Sequence, residues 1–84
     1  MKRMEKISYY EAKAKVLREY PGHVIRASHD LPDGYLFLAI PWDFPEGEIY
    51  YGGFSKVLFS GELQEYSPVM DPEEFKEALK NRIE

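Results

Sequence analysis

Hydrophobic positions along this chain follow two periods. From Ser8 to Tyr20 they recur at helical spacing. Ala12, Val16 and Tyr20 stand at i, i+4 and i+8 with Tyr9 and Leu17 beside them, while Lys13, Lys15, Arg18 and Glu19 take the wet face. Ser8-Tyr9-Tyr10-Glu11 has the form of a capping box, in which Ser8 accepts from the Glu11 amide and the Glu11 side chain reaches back. Pro21-Gly22 ends this helix, and residues 1–7 read as a charged lead-in. Residues 34–41 are different. They carry no charge, and on a strand Tyr35, Phe37 and Ala39 face one way and Leu36, Leu38 and Ile40 the other. Both sides are apolar, so the pattern predicts a central strand with cover on each face.

The rest of the chain fits around that strand. His23-Val24-Ile25-Arg26-Ala27-Ser28-His29 alternates in part and predicts a strand, joined to the central one antiparallel through the turn residues Asp30-Leu31-Pro32-Asp33-Gly34. Residues 42–53 hold Trp42, Phe44, Tyr50 and Tyr51 among Pro45, Gly47, Gly52 and Gly53, and predict a long loop with some extended backbone. Residues 54–66 predict a hairpin, with Gly61 supplying the positive φ of a tight turn or a G1 bulge. A two-residue turn sets Leu58 against Leu63. A three-residue loop sets Phe59 against Leu63, and the sequence leaves both registers open.

The last helix has the strongest local signal. Asp71 is its N-cap, Pro72 its first residue, and Glu74 closes a capping box, with Met70 and Phe75 placed as a hydrophobic staple. Its buried stripe is Phe75, Ala78, Leu79 and Ile83. The order is helix, about four strands, helix: an α+β domain with helices packed on an antiparallel sheet.

Composition narrows the function classes. With 84 residues the chain makes a single domain whose core is only just sufficient, and it has no cysteine for a disulfide or a thiolate metal site. No apolar run approaches a membrane span, and the basic start is not followed by a signal-peptide core, so the expectation is a soluble cytoplasmic protein. A net charge of −4 argues against a nucleic-acid binder. Its distribution says more. No Lys or Arg lies between Arg26 and Lys56, while Asp30, Asp33, Asp43, Glu46 and Glu48 do. Those acids either keep an aromatic loop soluble or attract a basic partner.

Candidate chemistry is sparse. On a regular strand His23 and His29 share a face about 20 Å apart, at about 3.3 Å per residue, too far to chelate one metal. His29 with Asp30 and Asp33 makes at most a weak metal site, and His29 reads as a surface turn residue. Ser8 is a cap, Ser60 a turn residue, and Ser28 points away from His29 on a strand. No phosphate-binding glycine motif is present. Neither catalysis nor a metal or other cofactor is therefore expected. Trp42 and Phe54 are assigned to the core. Phe44, Tyr50 and Tyr51 are divided between packing and contact, and one ring of the Tyr9-Tyr10 pair is left partly exposed.

Three groups of residues, Asp33-Gly34-Tyr35-Leu36-Phe37, Lys56-Val57 with Ser60-Gly61-Glu62-Leu63, and Asp71-Pro72-Glu73-Glu74-Phe75, are arranged in a familiar way. Across residues 33–79 the chain resembles the small immunity proteins of bacterial polymorphic toxin systems, in particular the immunity protein 35 or YrhB-like group. Tyr51-Gly52-Gly53-Phe54 stands where that family has a Gly-Asn-Gly-Pro-like stretch. The resemblance implies a stoichiometric protein that binds and blocks a toxin enzyme, and it carries over no residue roles. The expected function is thus a non-enzymatic binding module, an inhibitor meeting a basic protein surface through Asp43, Phe44, Glu46, Glu48, Tyr50 and Tyr51. The alternatives are an oligomer that binds a small molecule or nucleotide between aromatic rings, and a phage accessory or structural subunit.

Overall fold

A computed structural model describes residues 6–48 and 54–84. The elements are α1 (Tyr9–Glu19), β1 (His23–Leu31), β2 (Gly34–Pro41), β3 (Phe54–Leu58), β4 (Leu63–Tyr66) and α2 (Pro72–Lys80). The strands form one antiparallel sheet in the order β1-β2-β3-β4. This is the α+β architecture that the hydrophobic pattern predicts. Among the described residues no helix is long and apolar enough to cross a membrane.

The two faces of β2 are both covered. Phe37 and Ala39 pack with Ala12 and Val16 of α1 and Val57 of β3, and Tyr35 joins them. On the other side Leu36 packs with Leu31, Tyr66 and Ala78, and Phe54 and Phe75 close that cluster. Leu36 and Phe37 are each fully buried, so neighbouring residues on one strand anchor opposite cores. Each contributes about 1.5–3 kcal/mol of burial free energy.

Both N-caps follow their sequence signals, but among the described residues neither the Ser8 nor the Asp71 amide bonds the Glu11 or Glu74 carboxylate, so the reciprocal half of each expected capping box is not made. Ser8 accepts from the Glu11 amide at 3.1 Å and donates to the Glu11 carboxylate at 3.3 Å. Asp71 accepts from the Glu74 amide at 3.1 Å, with Pro72 in the first turn. Met70, however, is 85% exposed, so the expected staple onto Phe75 does not form. Phe75 turns instead to Phe54, with ring centroids 5.2 Å apart.

Four local features differ from the pattern's expectation, each for a physical reason. First, β1 runs on to Leu31, and the turn is only Pro32 and Asp33. Gly34 lacks a positive φ, and its role is close approach: a Cβ there would lie 2.1 Å from the Val57 carbonyl oxygen. Second, the β1–β2 register shifts between Ile25 and Ala27. This bulge adds one residue and reverses the side on which later side chains point. His23 pairs with Pro41 and His29 with Leu36, so the two histidines lie on opposite faces rather than on one. His29 is also 4% exposed, not a surface turn residue.

Third, the β3–β4 hairpin takes neither of the two registers left open. Val57 stands opposite Leu63, and the Leu58 amide donates to the Glu62 carbonyl at 2.9 Å. The Gly61 amide donates to the Leu58 carbonyl at 2.8 Å, and Gly61 has φ +98, the bulge geometry for which a glycine is needed. This register keeps both Val57 and Leu63 against α1. Fourth, α2 stops at Lys80. Leu79 is 49% exposed, and Ile83 lies beyond the helix, so neither completes the expected stripe. Residues 82–84 instead run along the outer edge of β1. The Ile83 amide donates to the Ser28 carbonyl at 2.8 Å, and the Asp30 amide to the Asn81 carbonyl at 2.9 Å.

Candidate functional site

β2 and β4 finish, and β1 and β3 begin, at one end of the sheet. Residues 42–48, which follow β2, therefore lie at the same end as the turn before β1 and the turn before α2. Its first part is firmly rooted. The Trp42 amide donates to the Gly22 carbonyl at 2.9 Å, and the Phe44 amide to the Pro41 carbonyl at 3.0 Å. The tight turn so formed sends Trp42 outward and Phe44 inward. Phe44 and Pro45 line a groove of about 280 Å³ with Leu38 and Ile40, the half of that sheet face beyond Leu36. Gly47 has φ +83, with open space where a Cβ would stand.

The expected site residues thus separate. Asp43, Glu46 and Glu48 are exposed, and Phe44 is half-buried, with Glu48 and Arg26 at the rim of its groove. Tyr50 and Tyr51 lie outside the described residues. Trp42, expected in the core, is 72% exposed. The reason is the turn: Phe44 takes the place over Leu38 and Ile40, leaving no cover for the indole. A second exposed apolar pair, Val69 and Met70, each at 85%, sits on the turn closed by the Met70 amide and the Ser67 carbonyl. Nothing in the local sequence pattern separates these two from staple residues.

On the α1 side of the same end lies a cavity of about 480 Å³. Tyr20, Phe54 and Ala39 supply apolar surface, and His23, Ser55 and Glu65 supply polar atoms. Ser55 and Glu65 are direct cross-strand partners. Ser55 is only 4% exposed, yet its hydroxyl makes no hydrogen bond to another described residue. The Nδ1 of His23 is 3.1 Å from the Pro21 carbonyl, and its ring lies 5.7 Å from that of Tyr20. Sequence reading missed this group because its members come from all four strands and the end of α1.

Other polar side chains are occupied in holding the fold. The Tyr9 hydroxyl lies 2.7 Å from the Ser28 hydroxyl and donates to the Glu84 carboxylate at 2.5 Å. Lys13 donates to the same carboxylate at 3.0 Å. Burial first, and then the bond to Glu84, push the Tyr9 pKa up to about 12. The Tyr9 bond, and then Lys13, hold Glu84 below its ordinary value. This clasp pins residues 82–84 to β1, and it gives Ser28, buried completely, a partner other than a substrate. Tyr9 and Tyr10 divide as expected, with Tyr10 74% exposed.

Beneath α2, Lys56 lies 3.1 Å from Asp33, 3.8 Å from Glu74 and 5.9 Å from the centre of the Tyr66 ring. Burial, followed by the Glu74 carboxylate, pushes the Tyr66 pKa up to about 12, although its hydroxyl closes no hydrogen bond in this geometry. His29 titrates below its ordinary value, mainly because it is buried and secondarily because Arg82 is near. It pairs through its backbone with Leu36, one position from the Asp30 and Tyr35 pair, so its ring points away from Asp30. Among the described residues no three His, Cys, Asp or Glu side chains are placed to hold a metal ion. Comparison of the chain with protein-family models, with curated proteins and with solved structures returned no match.

Proposed function

We propose that this chain is a non-enzymatic protein-binding module, an inhibitor of the immunity type, that meets a partner through Trp42 and the acidic loop beside it. The observation that carries this reading is Trp42: a tryptophan 72% exposed, at the root of a loop held by backbone hydrogen bonds. Tryptophan on a fixed base buries much area at little entropic cost, which makes it a common anchor of interfaces. Asp43, Glu46 and Glu48, exposed on the same loop, favour a positively charged protein surface. A phosphate backbone would meet like charge there, so nucleic acid fits poorly.

The experiment uses the chain's single tryptophan as its own reporter. The purified protein is mixed with the product of the neighbouring gene, where a toxin is expected. Trp42 emission is followed with and without iodide. Docking through the loop shifts the emission to the blue, protects it from quenching, and slows with added salt. Trp42→Ala lowers affinity about 30-fold or more, as an anchor worth about 2 kcal/mol does, and leaves the melting midpoint nearly unchanged because the side chain is exposed. Failure to capture the product, or a complex whose affinity and Trp42 quenching ignore these changes, overturns the reading.

A further inference from the structure

We propose that the cavity between the end of α1 and the sheet is a binding site for a small organic cation with a planar apolar body, of the arylalkylamine type. This goes beyond the protein-binding reading and stands independently of it, since neither Trp42 nor the carboxylates of its loop line the cavity. Its volume of about 480 Å³ falls within the range of about 300–1,000 Å³ typical of small-molecule pockets. Tyr20 offers a ring and Ala39 a small apolar floor, so a flat hydrocarbon face is accommodated.

The polar atoms select the charge. Ser55 is 96% buried by its 4% exposure, lines the cavity, and has a hydroxyl with no partner among the described residues. That hydroxyl is open to the cavity rather than sealed in the core, so a bound molecule can take up its hydrogen bond there. Glu65, across the ladder from Ser55, brings a carboxylate to the same wall. When the His23 Nδ1 carries its proton toward the Pro21 carbonyl, Nε2 remains as an acceptor. A carboxylate, an imidazole acceptor and a hydroxyl together suit a group rich in donors, and a protonated amine is the small one that also satisfies the charge of Glu65. An anion would be repelled.

The test is an amide NMR titration of the full chain with phenethylamine, with 2-phenylethanol and 3-phenylpropanoate as its neutral and anionic counterparts. Phenethylamine is expected to give saturable shifts at Ser55, Glu65, His23 and Phe54, and to bind about tenfold or more tightly than either counterpart. Glu65→Gln should remove that preference for the amine over the alcohol. Ser55→Ala should weaken amine binding, with the unliganded melting midpoint checked to show that the fold persists. Absence of saturable shifts at these residues, shifts that cluster elsewhere, equal binding of all three probes, or unchanged selectivity in Glu65→Gln each overturns the proposal.

Discussion

Gly34→Ala tests whether the β2–β3 pair is held closer than any side chain allows. The new methyl carbon would lie 2.1 Å from the Val57 carbonyl oxygen and 2.9 Å from the Leu58 Cα. Both are backbone atoms, so no flexible side chain can swing aside. Ordinary contact is about 3.5 Å, and the strands must therefore part by roughly 1.4 Å. Gly34 pairs directly with Leu58, and the next link is the Phe59 amide to the Asp33 carbonyl at 2.9 Å. Opening this end forfeits one or two such bonds at about 0.5–1.5 kcal/mol each. Displacing the fully buried Val57 adds packing strain of about 1–3 kcal/mol. The expected loss of about 2–5 kcal/mol is a large part of a small domain's stability, typically about 5–15 kcal/mol. Urea unfolding reads it as a midpoint lowered by about 1–5 M, at a slope of about 1–2 kcal/mol/M. Gly47→Ala is the control: Gly47 has φ +83 and open space around it, so only backbone strain of about 1–2 kcal/mol applies. If Gly34→Ala costs no more than Gly47→Ala, the close-approach argument is wrong.

Two further predictions concern titration. Tyr9 and Tyr66 ionise at about 12 in the folded chain against an ordinary 10, so the unfolded chain loses these protons first. Their contribution is complete below pH 10 and is lost as the pH rises toward 12. Urea midpoints across that window should fall steeply in the native chain and less steeply in a Tyr9→Phe, Tyr66→Phe variant; equal slopes would refute the assignment. Glu84 is shifted the other way. The contribution of its clasp is present above the ordinary value of 4.5 and is lost as the pH falls through the lower folded value. The protection of the Ile83 amide, taken relative to the intrinsic exchange rate at each pH, should therefore be high at neutral pH and fall in acid. Glu84→Gln should expose that amide at neutral pH, and an Ile83 amide equally protected in the variant would show that the carboxylate does not hold the edge.

Much of the fold is legible in the sequence because it rests on local chemistry. The caps at Ser8 and Asp71 and the apolar run from Gly34 to Pro41 name their elements without reference to anything distant. What the pattern misses is non-local. The bulge at Arg26 obeys the fit of β1 to β2 and reverses His29, a change that alternation alone does not encode. The hairpin register is decided by Val57 and Leu63 meeting α1, not by the turn residues. Ile83 has helical spacing from Leu79 and yet joins the edge of β1, where backbone groups of Ser28 accept and donate. The acidic loop was found through its composition, and its three described acids are exposed as expected. Trp42 was misplaced because two large rings compete for one patch over Leu38 and Ile40, and only the turn from Pro41 to Phe44 decides which enters.

The position of both candidate surfaces follows from a mismatch of lengths. At about 1.5 Å per residue, the 11 residues of α1 reach about 16 Å. The 9 residues of β1 reach about 30 Å at about 3.3 Å each. One helix per face therefore covers only part of each strand's length. At one end the sheet closes itself: Pro32 and Asp33 turn tightly, Phe59 bonds to Asp33, and Ile7 bonds to Phe59. The uncovered length is left at the other end. On the α2 face the loop fills it, with Phe44 and Pro45 over Leu38 and Ile40, and that use of Phe44 is what frees Trp42. On the α1 face the cavity of about 480 Å³ remains beyond Tyr20. A single extra turn at the end of α1 would lay side chains across His23, Ser55 and Glu65, so Pro21 and Gly22, by stopping the helix, also keep that cavity open.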